Sequence, residues 1–261
     1  RPQDDYEHIR CLGHGSFGIV DLWRQKRFNR DLVVAKRISF DGLTSEQEAT
    51  AKRESKILRS LRHPHIVKYL GSWVDRAEGE LVIVQEYLSG GDLAKAIRAA
   101  RSQQQHFEEG RVLRWFAQLW HALQYCHSHS KLVHRDLKPN NVFLSGDLDS
   151  VHLGDFGVSK LLASGTVLTE TYVGTHLYMS PEVLQRNAYG LKSDVWGLGT
   201  ILYEVCSLAR PFETAEGTTF STLECIVSSG GPAPFPAGAA YPPAFEAASR
   251  RMLCKDAAER P

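Results

Sequence analysis

The 261-residue sequence lacks an excess of charge of either sign and a long apolar run. Lys and Arg total 31 against 30 for Asp and Glu, so the formal net charge is only +1. Nucleic-acid platforms and membrane-surface binders usually carry a basic excess, and we therefore expect neither nucleic acid nor membrane as a partner. No apolar run approaches the roughly 18 residues that cross a bilayer, which argues against a membrane-spanning chain.

Paired cysteine motifs are also missing. The five cysteines are odd in number and scattered, and no two of them form a C-x-x-C pair. This argues against a disulfide framework or a zinc ribbon and favours reduced thiols in the cytoplasm or nucleus. One segment does gather metal-ligand residues, namely His121, Cys126, His127 and His129. Because this segment ends a predicted helix, we expect packing and surface roles there rather than zinc binding.

The residue pattern changes from strand-rich to helix-rich near residues 86–91. Residues 1–87 hold five segments rich in β-branched and aromatic residues, interrupted by one helical segment at 44–62. Later segments, such as 108–128 and 193–208, have helical apolar spacing or are almost wholly apolar. We predict one α+β domain, with a small strand-rich lobe at 1–87 and a larger helical lobe at 88–261.

The segment LGHGSFGIV places Gly13, Gly15 and Gly18 in the spacing G-x-G-x-x-G. Dinucleotide-binding turns and the glycine-rich hairpin of kinases share this spacing. A dinucleotide turn leads into a helix and needs an acidic residue roughly 20 positions later. Here a strand pattern continues, and the residue 18 positions after Gly18 is Lys36. We therefore predict a hairpin that covers phosphate groups, with Lys36 as the cation that contacts them.

Three further motifs follow in the order found in kinases. LVHRDLKPNNVFL matches the catalytic loop, D-F-G begins at Asp155, and S-P-E occupies residues 180–182. Asp136 is the candidate base that orients the acceptor hydroxyl, and Lys138 can neutralise charge on the transferred phosphoryl group. Asn141 and Asp155 supply the oxygen ligands that suit Mg²⁺.

Two groups of residues before the catalytic loop complete the predicted site. Glu54, on the predicted helix, is the candidate partner that fixes Lys36, although both residues taken singly also fit ordinary surface charge. Leu12, Val20 and Ala35 are the candidates for an apolar roof over a purine ring.

Together these motifs resemble the eukaryotic protein kinases over essentially the whole chain, and Lys138 in HRDLKPN is typical of the serine/threonine class. The resemblance implies a bilobal fold, with an antiparallel N-lobe sheet, one main N-lobe helix and a helical C-lobe whose last helices are missing. It also implies ATP and Mg²⁺ as cofactors, protein substrates, and regulatory regions elsewhere in a longer protein. The ATP-binding residues that it implies are Leu12, Gly13, Gly15, Gly18, Val20, Ala35, Lys36, Glu86, Tyr87 and Phe143.

The same resemblance implies several supporting positions. Thr175 would bond the catalytic aspartate and lysine, Asp194 would brace the catalytic loop, and Glu182 would pair with Arg260. Phosphorylation of Thr171, in a hydroxyl-rich segment, would add negative charge that Arg135 and Lys160 could capture.

Within the serine/threonine class the sequence is similar to the NIMA-related (Nek) kinases. RHPHIVKY, VQEYLSGGDL and LGDFGVSK are close to that family's forms, and Phe143 and Gly154 are the more specific matches. This similarity implies a cytoplasmic protein with cytoskeletal, centrosomal, ciliary or nuclear roles.

Three positions depart from the family pattern. His176 replaces a proline after Gly-Thr, and Gln85 puts an amide where a bulky apolar gatekeeper is commoner. Leu70 stands where several Nek kinases carry an inhibitory tyrosine. We expect Leu70 to join an apolar column with Leu58, Phe156 and His134, and hence we expect no tyrosine switch.

Two alternative functions are open at this point. The first is a catalytically inactive kinase fold that acts as a scaffold, which the presence of Lys36, Asp136, Asn141 and Asp155 opposes. The second is a small-molecule kinase, against which the S-P-E segment and the hydroxyl-rich loop favour a protein substrate.

Overall fold

The computed structural model describes residues 2–15, 18–27, 30–41, 44, 49, 55, 58–129, 132–156, 176–185, 187, 189–212, 223, 226–228, 231–236 and 241–261. The chain divides into two compact units, Arg1–Ser89 with Phe156–Val167 and Gly90–Asp155 with Leu168–Pro261. The first unit is built on an antiparallel sheet and the second is largely helical, so the predicted α+β class is confirmed. Within the described ranges, no helix is long and apolar enough to cross a membrane.

The sheet of the first unit has five strands in the order β1-β2-β3-β5-β4. The strands are β1 (Tyr6–Gly15), β2 (Gly18–Gln25), β3 (Leu32–Ser39), β4 (Tyr69–Asp75) and β5 (Glu80–Glu86). The interior residues of β5 are all buried, which explains why its sequence ELVIVQE does not alternate between apolar and polar residues. Of the helix predicted at 44–62, the described residues 49, 55 and 58–60 are helical.

The register of this sheet sorts its side chains onto two faces. Val20 pairs with Lys36, and Lys36 pairs with Ile83, so these three residues lie on one face, called here the Lys36 face. Successive residues of a strand point to opposite faces, which places Ala35 on the other side. That other face carries a small core of Val33, Ala35, Val82 and Val84, covered by Tyr6, Trp23 and Trp73.

The second unit is organised around helices that position one loop. The helices are α1 (Leu93–Gln103), α2 (Glu109–His129), the short α3 (Pro181–Leu184), α4 (Leu191–Ser207) and α5 (Pro243–Met252). Strand β6 (Val142–Leu144) pairs with β7 (Val151–Leu153). Residues 134–141, which join α2 to β6 and are called here the catalytic loop, end in a 3-10 turn at Pro139–Asn141. The almost wholly buried α4 is the central helix expected from its apolar sequence.

Gly199 lets α4 and α5 pack closely, because a Cβ atom there would lie 2.8 Å from Met252 Cβ and 3.1 Å from Leu253 Cγ. We expect Gly199→Ala to destabilise the protein by about 1–3 kcal/mol through overpacking, lowering the melting temperature by several degrees. Thermal and urea unfolding measure this. Gly231→Ala is the control, since the atom nearest to a Cβ at that position is 4.0 Å away. Equal stability of the two variants would contradict the packing argument.

Candidate active site

The catalytic loop brings three of the predicted catalytic residues together. Oδ2 of Asp136 lies 3.0 Å from Nζ of Lys138 and accepts a hydrogen bond of 2.9 Å from Nδ2 of Asn141. The same Nδ2 also donates to the backbone carbonyl of Asp136 at 2.7 Å. Because a cation and an amide both bind the carboxylate, it is fixed in one orientation. A carboxylate in this state can orient a hydroxyl group and accept its proton.

The residues predicted to hold a metal ion fit Mg²⁺ by their donor atoms. Both hydrogen bonds to Asp136 use the amide nitrogen of Asn141, and this assigns the amide oxygen to the opposite side of the group. The backbone N–H of Gly154 donates to the backbone carbonyl of Asn141 at 2.9 Å. This hydrogen bond keeps the following residue, Asp155, close to Asn141. One carboxylate and one amide oxygen are donors that Mg²⁺ prefers in proteins. Asp155 has a φ of 54°, an unfavourable conformation for a residue other than glycine that is typical of functional sites.

His134 links the catalytic loop to the segment that contains Asp155. Its side chain is fully buried, and its Nδ1 accepts a hydrogen bond of 3.3 Å from the backbone N–H of Asp136. The proton of the neutral ring is therefore on Nε2, which donates to the carbonyl of Gly154 at 2.9 Å. His134 thus connects the backbone at Asp136 to the backbone immediately before Asp155.

Asp194, at the start of α4, holds the backbone of the catalytic loop. Its oxygens accept from the backbone N–H of His134 at 2.8 Å and from that of Arg135 at 3.0 Å. Arg135 has a φ of 67°, so the backbone is held in a left-handed conformation one residue before Asp136. These contacts agree with the bracing role that the resemblance implies for Asp194.

Glu182, which is partly buried, and Arg260, which is fully buried, form an ion pair with two-pronged geometry. Arg260 donates to the two carboxylate oxygens of Glu182 at 2.7 and 2.9 Å, and its side chain is 0% exposed. Burial alone would raise the pKa of Glu182, but hydrogen bonds from Arg260 and Ser193 help to lower it to about 2. The pairing of Glu182 with Arg260 could be predicted from the sequence. The hydrogen bonds that Arg260 also donates to three backbone carbonyls, those of Lys192, Cys254 and Lys255, could not.

On the Lys36 face, the structure corrects one prediction. Ala35 is fully buried in the core of the opposite face, so the prediction that it forms an apolar roof beside Val20 and Lys36 is wrong. Val34, two residues before Lys36, lies on the Lys36 face together with Gln85, with which it pairs. Strand alternation counted from Lys36 is the sequence signal that could have identified Val34.

The ammonium group of Lys36 loses its proton more readily than that of an ordinary lysine. Burial lowers the pKa of its ammonium group from 10.5 to about 7. A lysine in this state gains its full charge when an anionic group is placed next to it. Such a residue suits the binding of phosphate groups.

A second correction concerns β4. Leu70 is 39% exposed at a bulge between Tyr69 and Gly71, so the prediction that it joins a buried apolar column is wrong. The bulge leaves Tyr69 paired with Gln85 on the Lys36 face, where its hydroxyl donates to Ser72 Oγ at 2.6 Å. The expectation that the protein uses no tyrosine switch therefore no longer follows.

The other predicted nucleotide-binding residues occupy strands and strand ends. Glu86 ends β5, and its side chain accepts from the backbone N–H of Lys68 at 2.6 Å; Tyr87 follows it, half-buried. Phe143 is half-buried in β6, bridged to Asp92 in the same unit. The glycine-rich hairpin consists of the end of β1, with Leu12, Gly13 and Gly15, and the start of β2, with Gly18 and Val20.

The packing of β2 against β3 requires glycine at position 18, and the motif alone does not show this requirement. A Cβ atom at this position would overlap the backbone carbonyl of Arg37 on β3. The third glycine of the motif is therefore required by the close approach of two strands, besides any contact with a ligand.

Several predicted residues lie outside the described ranges, namely Glu54, Lys160, Thr171 and Thr175. Phe156 is described and is buried in the first unit.

The histidine-rich end of α2 holds no metal cluster among the residues that the structure describes. Cys126 is buried, and burial together with the nearby Asp194 raises the pKa of its thiol to about 12. His127 instead places its Nε2 at 2.8 Å from Oδ2 of Asp194. The burial of Cys126 is consistent with the expected packing role. The contact between His127 and Asp194 was not predicted.

Comparison with known proteins adds an independent result. The sequence profile described as protein kinase domain matches residues 6–261. The human serine/threonine-protein kinase Nek2 is 41% identical over 225 residues, covering 85% of this chain and 49% of that protein. The G2-specific protein kinase fin1 of Schizosaccharomyces pombe is 39% identical over 246 residues, covering 87% of this chain and 33% of that protein. The chain thus spans between a third and a half of the length of these relatives.

Proposed function

The chain belongs to the protein kinase family, and on that premise we propose that it transfers the γ-phosphoryl group of MgATP to serine or threonine hydroxyls of proteins. The observation that carries this proposal is the arrangement of Asp136 between Lys138 and Asn141 in the catalytic loop. The similarity to serine/threonine kinases of the Nek group supports the choice of acceptor.

Each residue of the site has a proposed role in this reaction. Asp136 orients the acceptor hydroxyl and takes its proton, while Lys138 neutralises charge that develops on the transferred group. Lys36 holds the phosphates of the nucleotide. Asn141 and Asp155 would hold Mg²⁺, which supplies charge neutralisation of the phosphates when bound. The residues proposed to line the nucleotide are Leu12, Gly13, Gly15, Gly18, Val20, Val34, Glu86, Tyr87 and Phe143.

Nucleotide binding separates an active kinase from an inactive scaffold. We expect ATP with Mg²⁺ to raise the melting temperature of the protein, because a ligand that binds only the folded state stabilises it. ATP without Mg²⁺ should give a smaller shift, and Asp155→Ala should remove the difference between the two conditions. A wild-type protein whose melting temperature responds to neither condition would favour the scaffold.

Binding of ATP should be accompanied by proton uptake at Lys36. The folded protein holds this pKa near 7, and adjacent phosphates should raise it, so uptake is expected between about pH 7 and pH 10. Calorimetric titrations at pH 8.5, in buffers of different ionisation enthalpy, should show uptake approaching about one proton per ATP. At pH 6 the uptake should vanish because the amine is already charged.

Lys36→Met is the control for this titration, since it removes the ammonium group and retains the protons that the nucleotide itself binds. Proton uptake at pH 8.5 that is the same in Lys36→Met and wild type would refute the role of Lys36.

Phosphorylation of Thr171 is proposed as the activating event. A phosphate adds about −1.5 to −2 charges, which Arg135, next to the catalytic Asp136, and Lys160 can bind. Thr171→Ala should lower activity strongly, whereas Thr166→Ala, in the same hydroxyl-rich segment, should not. Equal activity of Thr171→Ala and wild type in a kinase assay would reject this switch.

Location and partners are proposed on the same basis. We place the protein in the cytoplasm, with centrosomal, cytoskeletal, ciliary or nuclear sites of action, and with protein substrates as its partners. Further regulatory regions are proposed for the longer protein, since the relatives extend well beyond the matched segment.

A further inference from the structure

A row of four charged side chains, which the proposed reaction does not use, crosses the antiparallel sheet on the face opposite to the Lys36 face. Its members, on β1, β2, β3 and β5, are His8, Asp21, Arg37 and Glu80. Asp21 pairs with Ala35, which belongs to the core of that face, and this register places the row there. Asp21 directly follows Val20, and Arg37 directly follows Lys36. The charged row thus lies behind residues that are proposed to contact the nucleotide.

The charged row holds more negative than positive charge when His8 is neutral. Arg37 donates to the two carboxylate oxygens of Glu80 at 2.8 and 3.2 Å, so Glu80 is its main partner. Nη1 of Arg37 also lies 3.5 Å from Oδ2 of Asp21, whose side chain is 3% exposed. This oxygen accepts no hydrogen bond from the residues that the structure describes. Two carboxylates thus share one guanidinium, and a buried carboxylate without full compensation lowers stability.

His8 is placed to supply the missing positive charge. Its Nε2 lies 3.3 Å from Oδ1 of Asp21, while its own side chain is 57% exposed to solvent. Histidine is the side chain whose charge normally changes between about pH 5 and pH 8. Protonated His8 therefore balances the charged row, whereas neutral His8 leaves one net negative charge in it.

The other charged groups on the elements packed against His8 have other surroundings. On β2, Arg24 lies 3.6 Å from Glu7 of β1. In the 3-10 turn before β1, Asp5 lies 3.5 Å from Arg27. The remaining charged or titratable residues of these elements are exposed, namely Asp4, Arg10 and His14. A change of charge on His8 therefore acts mainly on the buried carboxylate of the charged row.

The contact between His8 and Asp21 joins the two strands of the glycine-rich hairpin where their pairing is irregular. The register of β1 against β2 shifts between His8 and Arg10 and again between Cys11 and Gly13. Such irregularities interrupt the ladder of backbone hydrogen bonds. A side-chain contact between the strands in this stretch therefore has a large influence on how firmly the tip of the hairpin is held.

We propose that the charged row is a pH-dependent restraint on the glycine-rich hairpin, in which protonated His8 fixes the hairpin over the phosphates of the nucleotide and neutral His8 loosens it. This inference rests on the proposed kinase function. Nucleotide affinity should therefore fall as His8 loses its proton, beyond any change that is due to Lys36 or to the nucleotide itself. His8 is a positioning residue, since it acts through Asp21 on the hairpin.

Two substitutions separate the charge of His8 from its hydrogen bonding. His8→Gln keeps a neutral hydrogen-bonding group at every pH, and His8→Arg keeps a positive charge at every pH. Both should fold, because the side chain of His8 is largely exposed. His121→Gln, at an exposed position of α2, is the matched control.

Binding of MgADP to these proteins, measured by calorimetry at about pH 6 and about pH 8, tests the restraint. At the lower pH, wild type should bind about two- to fivefold more tightly than His8→Gln, as expected for a partly exposed ion pair. At the higher pH these two should bind equally, and His8→Arg should bind more tightly than both. His121→Gln should follow wild type. Effects of Lys36 and of the nucleotide's own protons cancel in these comparisons, because all variants share them.

Hydrogen exchange gives a readout that needs no nucleotide. In wild type, the amides of residues 10–15 and 18–20 should be better protected at the lower pH, after correction for intrinsic exchange rates. In His8→Gln their protection should not depend on pH. Equal affinity of wild type and His8→Gln for MgADP at the lower pH would overturn the restraint. A folded wild type that binds no MgADP at either pH would instead reject the nucleotide binding on which the proposed kinase function depends.

Discussion

Replacing Asp136 with asparagine should lower kcat by about two to four orders of magnitude, the usual contribution of a positioned general base. The asparagine side chain is nearly the same size and still accepts from Asn141, but it cannot take up a proton and no longer pairs with Lys138. Steady-state assays with ATP and a serine/threonine peptide measure the change. KM for ATP should stay close to the wild-type value, since Asp136 acts on the acceptor hydroxyl.

Asp147→Asn is the control for this substitution. Asp147 lies in the turn between β6 and β7, where its carboxylate accepts from Ser145 and from the backbone of Asp149. The chemical change is the same as at Asp136, yet activity should be that of wild type. An Asp136→Asn variant within a factor of about three of wild type would be incompatible with a general base at this position.

Replacing Arg260 with methionine should destabilise the second unit by about 1.5–3 kcal/mol, because Glu182, whose side chain is 18% exposed, loses its charge-assisted hydrogen bonds to Arg260. The substitution also leaves the carbonyls of Lys192, Cys254 and Lys255 without their donor. Urea unfolding and thermal melting measure the loss. Arg250→Met is the control: Arg250 is 42% exposed and pairs with Glu246 on the same helix, a contact worth only about 0.3–0.5 kcal/mol.

The pH dependence of this loss tests its electrostatic origin. Glu182 has a pKa of about 2 in the folded protein against 4.5 in its ordinary state, so its contribution to stability is complete above pH 4.5. The contribution disappears as the pH falls from 4.5 towards 2. The difference in stability between wild type and Arg260→Met should narrow over that interval. A difference that is constant from pH 7 to pH 3 would indicate a packing effect without a charge effect.

Local sequence signals predicted much of the fold because each of them is a local physical requirement. Segments of β-branched and aromatic residues became β1 to β5, and the helical apolar spacing of 108–128 became α2. The catalytic loop was also predictable, since Asp136, Lys138 and Asn141 act within six residues of chain. Contacts between such close neighbours depend on backbone geometry that the motif itself encodes.

The errors occurred where the face of a strand or a distant partner decides the outcome. Ala35 was predicted to form part of the apolar roof over a purine ring, although strand alternation from Lys36 puts it on the opposite face. Leu70 was expected in an apolar column, but it is exposed at the bulge in β4. No residue type in that segment indicates the bulge. The contact between His127 and Asp194 was not predicted, because the two residues lie 67 positions apart in the sequence. Pairings over such distances arise from tertiary packing.

Phosphoryl transfer by the purified protein tests the proposed kinase function most directly. Wild type and Asp136→Asn are incubated with γ-labelled ATP, Mg²⁺ and a peptide mixture that presents serine, threonine and tyrosine, followed by phosphoamino-acid analysis. We predict labelled phosphoserine or phosphothreonine with wild type, dependent on Mg²⁺ and lowered at least about a hundredfold with Asp136→Asn. A folded wild-type protein, phosphorylated at Thr171, that binds MgATP and labels no hydroxyl amino acid would contradict it.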